Sequence, residues 1–385
     1  MTGQLPRVGV VVIGRDEGDR LRRCLESVRD SRYPEDRIEV TYVDSESRDG
    51  SAALACRYAD RVLVVRMTRP SAALVRNVGW RSTACELVHF VDGDTRLRRD
   101  WLRTAVETLA REPAGVACVF GDLREERPDA NLWHRMMAQD WERMSEGWRR
   151  DPSSVCYCGG NALFRRAALD RVGGFDPSLA GGEEPDLCVR LALEGRAVRY
   201  LPVPMGDHDI DMRTFRDYWR RGVKTGIAYA RVSRRHRGAF PLWRTRLRRD
   251  LALALAVLPG GLGIGAAAGV AAGGLAGGVA GALAGPPLAL GALVLRKAFR
   301  FWSAGEPAGR AFLGAAHTYL AKLGTWQGEM ADLGRGEDPE GGEWSVLLSW
   351  ENDRARAVPV VPDRMDAIED SHVGNGHVRV EGLVR

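Results

Sequence analysis

From Leu251 to Leu295 the chain carries no Asp, Glu, Lys or Arg. That run is longer than a core helix of a globular domain needs, and long enough for two membrane-crossing helices of about 20 residues each. It holds twelve glycines and is broken by Pro259-Gly260 and Pro286-Pro287. The pattern predicts two glycine-rich helices that turn near Gly273-Gly274. Arg244, Arg246, Arg248 and Arg249 precede the run, and Arg296, Lys297 and Arg300 follow it. Positive charge on both flanks places both ends on the cytoplasmic side of a membrane. A Gly/Ala-rich buried or interfacial segment is the alternative.

Ahead of this run the pattern is that of an α/β domain. Residues 8–13 are apolar throughout, as in a parallel strand buried on both faces. Leu21, Leu25 and Val28 then recur at helical spacing. A second strand runs from Ile38 to Asp44, a third over 62–65, and a fourth from Leu87 to Asp92, with helices predicted over 51–58 and 71–84. Asp100 is placed to cap another helix. Such alternation means a mostly parallel sheet with helices on both faces, and ligands bind beyond the carboxyl ends of its strands. Asp44 and Asp92 stand at those ends. Between 121 and 160 the pattern weakens to irregular helices with Trp133, Trp141 and Trp148. Helices are expected again over 183–194 and 214–231.

Composition narrows the function classes. Lys and Arg number 56 against 51 Asp and Glu, a formal charge of +5, and only three of the cations are lysines. The arginine-dense stretch 231–249 suits anionic lipid headgroups or a nucleotide phosphate. No basic helix interleaved with aromatics argues for nucleic acid. The seven cysteines are scattered without a CxxC pair, so no zinc site is expected, and the pattern fits a reducing compartment. Residues 1–7 are polar and no cleavable signal is read there.

Asp92-Gly93-Asp94 carries the strongest chemical signal. Two carboxylates straddle a glycine at a strand end, where a turn can present both to a divalent metal while the glycine admits a phosphate. Asp44-Ser45-Glu46-Ser47-Arg48-Asp49-Gly50-Ser51 is either a polar loop with a capping serine or a nucleobase pocket. Arg76-Asn77 can reach a phosphate or ribose, or form a solvated helix face. Glu17, after Arg15-Asp16, faces a ribose or base, or merely starts a helix. Glu183, Glu184 and Asp186 bunch at a helix start, where the dipole keeps a carboxylate ionised, as a general base requires.

Together these stretches resemble the family 2 glycosyltransferases of the GT-A fold. Further pieces are Cys24-Leu25-Glu26-Ser27-Val28, Ala73-Leu74-Val75-Arg76-Asn77-Val78-Gly79, Asp100-Trp101-Leu102, Gly160-Asn161 and Gly173-Gly174-Phe175-Asp176. The resemblance covers about residues 7–230. It implies an inverting transfer of sugar from a nucleotide-diphosphate donor. Ile13, Arg15, Glu17, Asp44, Arg76, Asp92, Gly93 and Asn161 would form the donor site, and Asp94 with Asp92 would ligate Mg²⁺ or Mn²⁺. Glu184 aligns with the family's aspartate base. Because Glu replaces Asp there and Pro185 follows, Glu183 and Asp186 stay open as the base. His208 stands where a third metal ligand occurs in such enzymes. Tyr218-Trp219-Arg220-Arg221-Gly222 is not the Gln-x-x-Arg-Trp motif of processive members, so one sugar is added per encounter. Arg220, Arg221 and Lys224 would hold a diphosphate of donor or acceptor, or form a solvated face.

The resulting expectation is an α/β GT-A domain (1–230), a basic juxtamembrane segment (231–250), a transmembrane helical hairpin (251–297), an amphipathic helical segment (298–334) and a flexible tail (335–385). The enzyme would sit on the cytoplasmic membrane, its catalytic domain facing the cytoplasm, and glycosylate a lipid-linked or cell-envelope saccharide acceptor. The rivals are a catalytically inactive membrane scaffold with this fold and a sugar nucleotidyltransferase. The acidic loop Gly14-Arg15-Asp16-Glu17 weakens the latter, which needs a basic glycine-rich loop there.

Overall fold

The computed structural model describes residues 4–179, 181–239, 243–333, 344–351 and 354–356. The chain divides into two compact units: residues 1–126, 144–210 and 338–385 form one, and residues 127–143 and 211–337 the other.

The first unit is built on the alternation seen in the sequence. Strands β1 (Val8–Gly14), β2 (Ile38–Asp44), β3 (Arg61–Met67) and β4 (Leu87–Asp92) are linked through helices α1 (Asp19–Arg29), α2 (Ser51–Ala55) and α3 (Ala72–Arg81). β2 and β4 flank β1 in parallel, and β3 lies outside β2. Val8, Val10, Val11, Val12, Val40 and Val43 are completely buried, as strands covered on both faces require. β5 (Thr95–Leu97) follows at once, and α4 (Trp101–Arg111) packs below. Asp100 precedes α4 but makes no side-chain cap; its carboxylate pairs with Arg32 instead.

The second half of the sheet differs from the sequence expectation. β6 (Val116–Glu125), β7 (Ala162–Arg165) and β8 (Ala197–His208) extend it beyond β4, in the order β4-β7-β6-β8-β5. β7 is antiparallel to both neighbours, while β6 and β8 are parallel. β7 is four residues long, and β8 contains Pro202 and Pro204, so neither shows a sustained apolar run. The stretch expected as irregular helices holds instead the end of β6 and one regular helix, α5 (Leu132–Arg150). Trp148 packs against Phe120 and Tyr200. Helices α6 (Arg166–Val172) and α7 (Glu183–Leu193) complete the unit's framework.

The second unit is helical. α8 (Phe215–Arg235) opens with a reciprocal capping box between Thr214 and Asp217. α9 (Arg244–Leu255) runs through a π turn at Ala256–Gly260, around Pro259, into α10 (Gly261–Ser303). α10 breaks at Gly273 and Gly274, where Gly274 takes φ 62° and ψ −151°, and the chain doubles back. Glycines line the seam between the two arms at every fourth position. A Cβ on Gly265 would stand 2.0 Å from the Gly281 carbonyl oxygen, one on Gly269 2.0 Å from that of Gly277, and one on Gly285 1.9 Å from that of Gly261. The backbones therefore touch, as in small-residue helix pairs inside membranes. The outer surface bears Ile264, Leu275, Val279, Leu283, Leu288 and Leu295, all more than half exposed.

α11 (Ala308–Leu333) packs against α8, again through glycines: Gly324 on Gly222, and Gly226 on Thr325. Buried charges lie within this unit. Asp332 pairs with Arg231 and Arg234, and Asp250 pairs with Lys322.

The division cuts across the expected domain borders, since 127–143 and 211–230 belong to the helical unit. The tail reading also needs correction. Strand β9 (Trp344–Glu351) pairs antiparallel with β3, and β10 (Arg354–Arg356) pairs with β9. The edge of β3 supplies the hydrogen-bonding partners that a short segment of mixed polarity lacks alone. The remainder of the expected tail, 335–343, 352–353 and 357–385, lies outside the described residues.

Candidate active site

The order β2-β1-β4 makes β1 the point where the connections reverse direction, and open sheets of this kind bind ligands at that crevice. Asp44, Gly14 and Asp92 end the three strands. The turn after β4 folds over β1: Gly93 N–H donates to the Ile13 carbonyl at 2.8 Å. A Cβ on Gly93 would lie 3.1 Å from that carbonyl and 3.3 Å from Glu17 Cγ, so the turn, Ile13 and Glu17 are immediate neighbours.

Asp94 and His208 are joined by strand pairing. β5 runs antiparallel to β8 with Thr95 opposite His208, which places Asp94 Oδ1 3.2 Å from His208 Nε2. One ligand atom each from Asp92, Asp94 and His208 falls within 4.8 Å of the others. Asp94 Oδ1 is buried and, its contact with His208 Nε2 aside, has no hydrogen-bond partner. Burial raises the Asp94 carboxyl above the usual carboxylate range; Asp92 adds to this, while His208 and Arg20 oppose it. Burial likewise pushes Glu17 up to about 7, reinforced by Asp94 and Asp92 and opposed by Arg20, whose guanidinium sits 2.9 Å from Glu17 Oε2. Acids buried this close to one another suit a divalent cation, which reverses the penalty on their charge. Two carboxylates and an imidazole match hard to borderline ions such as Mg²⁺ and Mn²⁺.

Arg76 organises the other side of Asp92. Its buried guanidinium gives Nη2 to Asp92 Oδ1 at 2.7 Å and Nη1 to Glu183 Oε1 at 2.9 Å. Asn161 grips Asp92 from the opposite direction, accepting from its backbone N–H at 2.9 Å and donating to Oδ2 at 3.1 Å. Gly160 lets the chain approach: a Cβ there would lie 2.5 Å from Arg76 Nη2 and 2.7 Å from Asp92 Oδ2.

The three acids of α7 have separate surroundings. Glu183 is tied to Arg76. Glu184 is buried, and its Oε1 accepts from the Cys158 N–H at 2.6 Å and from the Cys188 thiol at 3.1 Å. Burial raises its carboxyl above the ordinary range against the pull of these two donors. Asp186 is fully buried and pairs with Arg190 at 2.8 Å, which in turn caps the carbonyls of Val172 and Gly174.

Other sequence candidates are placed differently. Asp44 is fully buried, with Oδ1 accepting from the Ser47 N–H at 2.6 Å and Oδ2 from the Tyr42 hydroxyl at 2.8 Å, so it fixes the loop after β2. Asn77 is spent on both backbone groups of Phe175 and on the Trp80 indole. Arg15 is exposed beside Asp16. Arg220, Arg221 and Lys224 belong to α8 in the helical unit, where Arg221 lines a cavity of about 90 Å³ together with Tyr218, Trp219 and Arg246. Sequence reasoning passed over Arg20, Tyr42, Cys158 and Cys188. Cys188 carried a signal, since it lies one helical turn from Glu184 on the same face.

Residues 9–173 match the sequence profile of Glycosyl transferase family 2. These residues form a family 2 glycosyltransferase domain. The AglE glycosyltransferase of Haloferax volcanii is 24% identical over 271 residues, covering 68% of this chain and 83% of that protein. The pre-mycofactocin glycosyltransferase of Mycobacterium tuberculosis is 28% identical over 281 residues, 66% of this chain but only 56% of that longer protein. Among solved structures, the mannosyltransferase PcManGT of Pyrobaculum calidifontis, in complex with GDP-Man and Mn²⁺, is 25% identical with a TM-score of 0.53, covering 82% of this chain and 87% of that one. The transferase domain therefore has the GT-A architecture, and its chemistry is sugar transfer from a nucleotide sugar.

Proposed function

We propose that this transferase moves one sugar per encounter, with inversion, from a nucleoside-diphosphate donor to a lipid-linked or cell-envelope saccharide acceptor at the cytoplasmic face of a membrane. The observation that carries the donor half is the convergence of Asp92, Asp94 and His208 at the reversal point of the sheet, beside Arg76 and Asn161. When bound there, Mg²⁺ or Mn²⁺ offsets the charge on the departing diphosphate. Asp44 acts on the nucleobase pocket through the loop it anchors, with Ile13 and Glu17 on the adjoining wall and Arg15 at its open rim. Arg76 holds Asp92 in register for the ribose and the metal side.

For the base we favour Glu184 over its neighbours. Glu183 is neutralised by Arg76, and Asp186 is locked to Arg190, away from solvent. Glu184 has one oxygen fixed by two donors and a carboxyl raised by burial, which makes it a stronger proton acceptor. It would take the acceptor hydroxyl's proton as that oxygen attacks the anomeric carbon opposite the leaving diphosphate.

The apolar hairpin supports the membrane half. From Leu251 to Gly273 one arm is about 34 Å long at 1.5 Å per residue, against a hydrocarbon core of about 30 Å. Its exposed leucines and its charge-free turn fit lipid better than water, and the basic flanks fit the cytoplasmic leaflet. Arg220, Arg221 and Lys224 would serve an acceptor or donor diphosphate.

The test is release of nucleoside diphosphate by the detergent-purified chain with Mn²⁺ and a panel of nucleotide sugars, GDP-mannose first, with and without a lipid extract as acceptor. Lipid-dependent release that is lost in Asp94→Asn and Glu184→Gln is expected. Pyrophosphate release would turn the reading to nucleotidyl transfer, and no reaction or metal-dependent donor binding would turn it to the scaffold. Full activity on a free soluble sugar after removal of 251–297 would overturn the lipid-linked acceptor.

A further inference from the structure

A second cluster of ligating side chains lies in the first unit. Cys158 precedes β7, and Cys188 stands one turn along α7 from Glu184. Cys158 Sγ is 3.7 Å from Cys188 Sγ, and Cys188 Sγ is 3.1 Å from Glu184 Oε1. One ligand atom from each residue falls within 4.8 Å of the other two, and all three residues are buried. A third thiol, Cys118 on β6, is also fully buried. All are free cysteines.

These separations have a metal's dimensions. Two sulfurs at about 2.3 Å from a tetrahedral Zn²⁺ stand about 3.8 Å apart, and a sulfur and a carboxylate oxygen about 3.5 Å apart. The thiol pair already matches the first distance, and the carboxylate needs to withdraw by only a few tenths of an ångström. We propose that Cys158, Cys188 and Glu184 form a binding site for a thiophilic divalent cation of the zinc class, separate from the aspartate site. Binding releases two thiol protons to solvent and leaves two thiolates and a carboxylate on the ion. The fourth position is left to a water.

The donor sets sort the two sites by metal. Asp92, Asp94 and His208 offer oxygen and one nitrogen, which suit Mg²⁺ and Mn²⁺, whereas two thiolates select zinc-like ions. The consequence for activity rests on the proposed function. With Glu184 as the base, an ion held on its carboxylate stops it accepting a proton, so micromolar zinc inhibits while magnesium or manganese activates. Metal binding itself does not rest on that reading.

The test uses Co²⁺ as the probe on the full chain in detergent, reduced, stripped of metal and held in excess Mg²⁺. One equivalent of Co²⁺ should develop thiolate-to-cobalt charge-transfer absorption, and Zn²⁺ should abolish it. The aspartate site cannot produce that band, so Asp94→Asn should keep it. Cys158→Ser and Cys188→Ser should each weaken Co²⁺ binding by about 10–100-fold or more. Absence of the band in the unsubstituted protein overturns the proposal whatever the variants do, and so does a band that survives in folded Cys188→Ser. In the donor-release assay Zn²⁺ should inhibit the unsubstituted enzyme and not Cys188→Ser. A cobalt band without any transferase activity would leave the metal site standing and remove only the functional reading.

Discussion

Replacing Arg76 by methionine keeps most of the aliphatic stem and removes a buried cation that bridges two acids. Breaking a fully buried ion pair costs about 3–5 kcal/mol, because a carboxylate is left without its partner. Here the loss is cushioned. The Asp92 side chain is 28% exposed and keeps its Asn161 contacts, and the Glu183 side chain is 15% exposed. Water therefore repays part of the penalty, and the expected destabilisation is about 2–3 kcal/mol. Divalent-cation binding should move the other way. A fixed positive charge 2.7 Å from Asp92 Oδ1 opposes a second cation on the same carboxylate, so Arg76→Met should bind Mn²⁺ more tightly. Urea unfolding in detergent at neutral pH, followed by tryptophan fluorescence, reads the first effect, and calorimetric Mn²⁺ titration reads the second. Saturating Mn²⁺ should then narrow the stability gap, since it binds only the folded state. A variant within about 0.5 kcal/mol of the parent, as for an ordinary surface substitution, would refute the assignment of Arg76 as the clamp of this site, and a folded variant with weaker Mn²⁺ binding would refute the charge argument.

Three further outcomes are expected. Asp94→Asn should weaken Mn²⁺-dependent donor binding at least about tenfold, a loss of about 1.4 kcal/mol, with little change in unfolding, as equilibrium dialysis with labelled donor would report. Gly265→Ala should destabilise the hairpin by about 1–3 kcal/mol through overpacking against the Gly281 carbonyl, outweighing the gain of about 1 kcal/mol in helix propensity. Gly263→Ala, where nothing lies within 4 Å, should be neutral or stabilising; thermal unfolding in one detergent compares the two. Burial pushes the Glu329 carboxyl to about 8, with Asp250 adding and Arg246 and Lys322 opposing. Its folded value stands above its unfolded one, so the parent loses stability as pH rises from about 4.5 to about 8. Glu329→Gln escapes that loss; its advantage should grow across this window and level off above it, as melts at pH 4, 6 and 9 would show.

The parallel half of the sheet was legible because β1 is apolar throughout, β4 nearly so, and β2 alternates Ile38, Val40 and Tyr42 up to Asp44. The acids at their carboxyl ends stood out because such strands leave little polar material elsewhere. β7 and β8 were hidden for the opposite reason: one is too short for a period to show, and prolines interrupt the other. β9 was read as tail because its partner, β3, lies some 280 residues earlier. Within the site, Asp44 illustrates a general limit. Its position at a strand end was readable, yet its spending on Tyr42 and Ser47 depends on contacts no spacing reveals. Cysteine spacing is limited in the same way, since a pair rule sees neighbours along the chain and not Cys158 and Cys188, which meet only in the fold.

The place of β9 has a consequence for how the chain is made. Synthesis delivers β3 early, and β9 follows about 280 residues later, after the whole apolar hairpin. At about 5–20 residues per second that interval lasts about 14–55 s. Throughout it the outer edge of β3 presents unpaired backbone groups, which invite pairing with other chains. Arg61 and Arg66 on that strand are the sort of edge charge that discourages such pairing. On the proposed membrane reading, the hairpin would insert before the sheet is closed, ahead of completion of the transferase fold. A water-soluble version made by cutting the chain after β8 would keep that edge open, and it would need residues 344–356 rejoined to fold without aggregating.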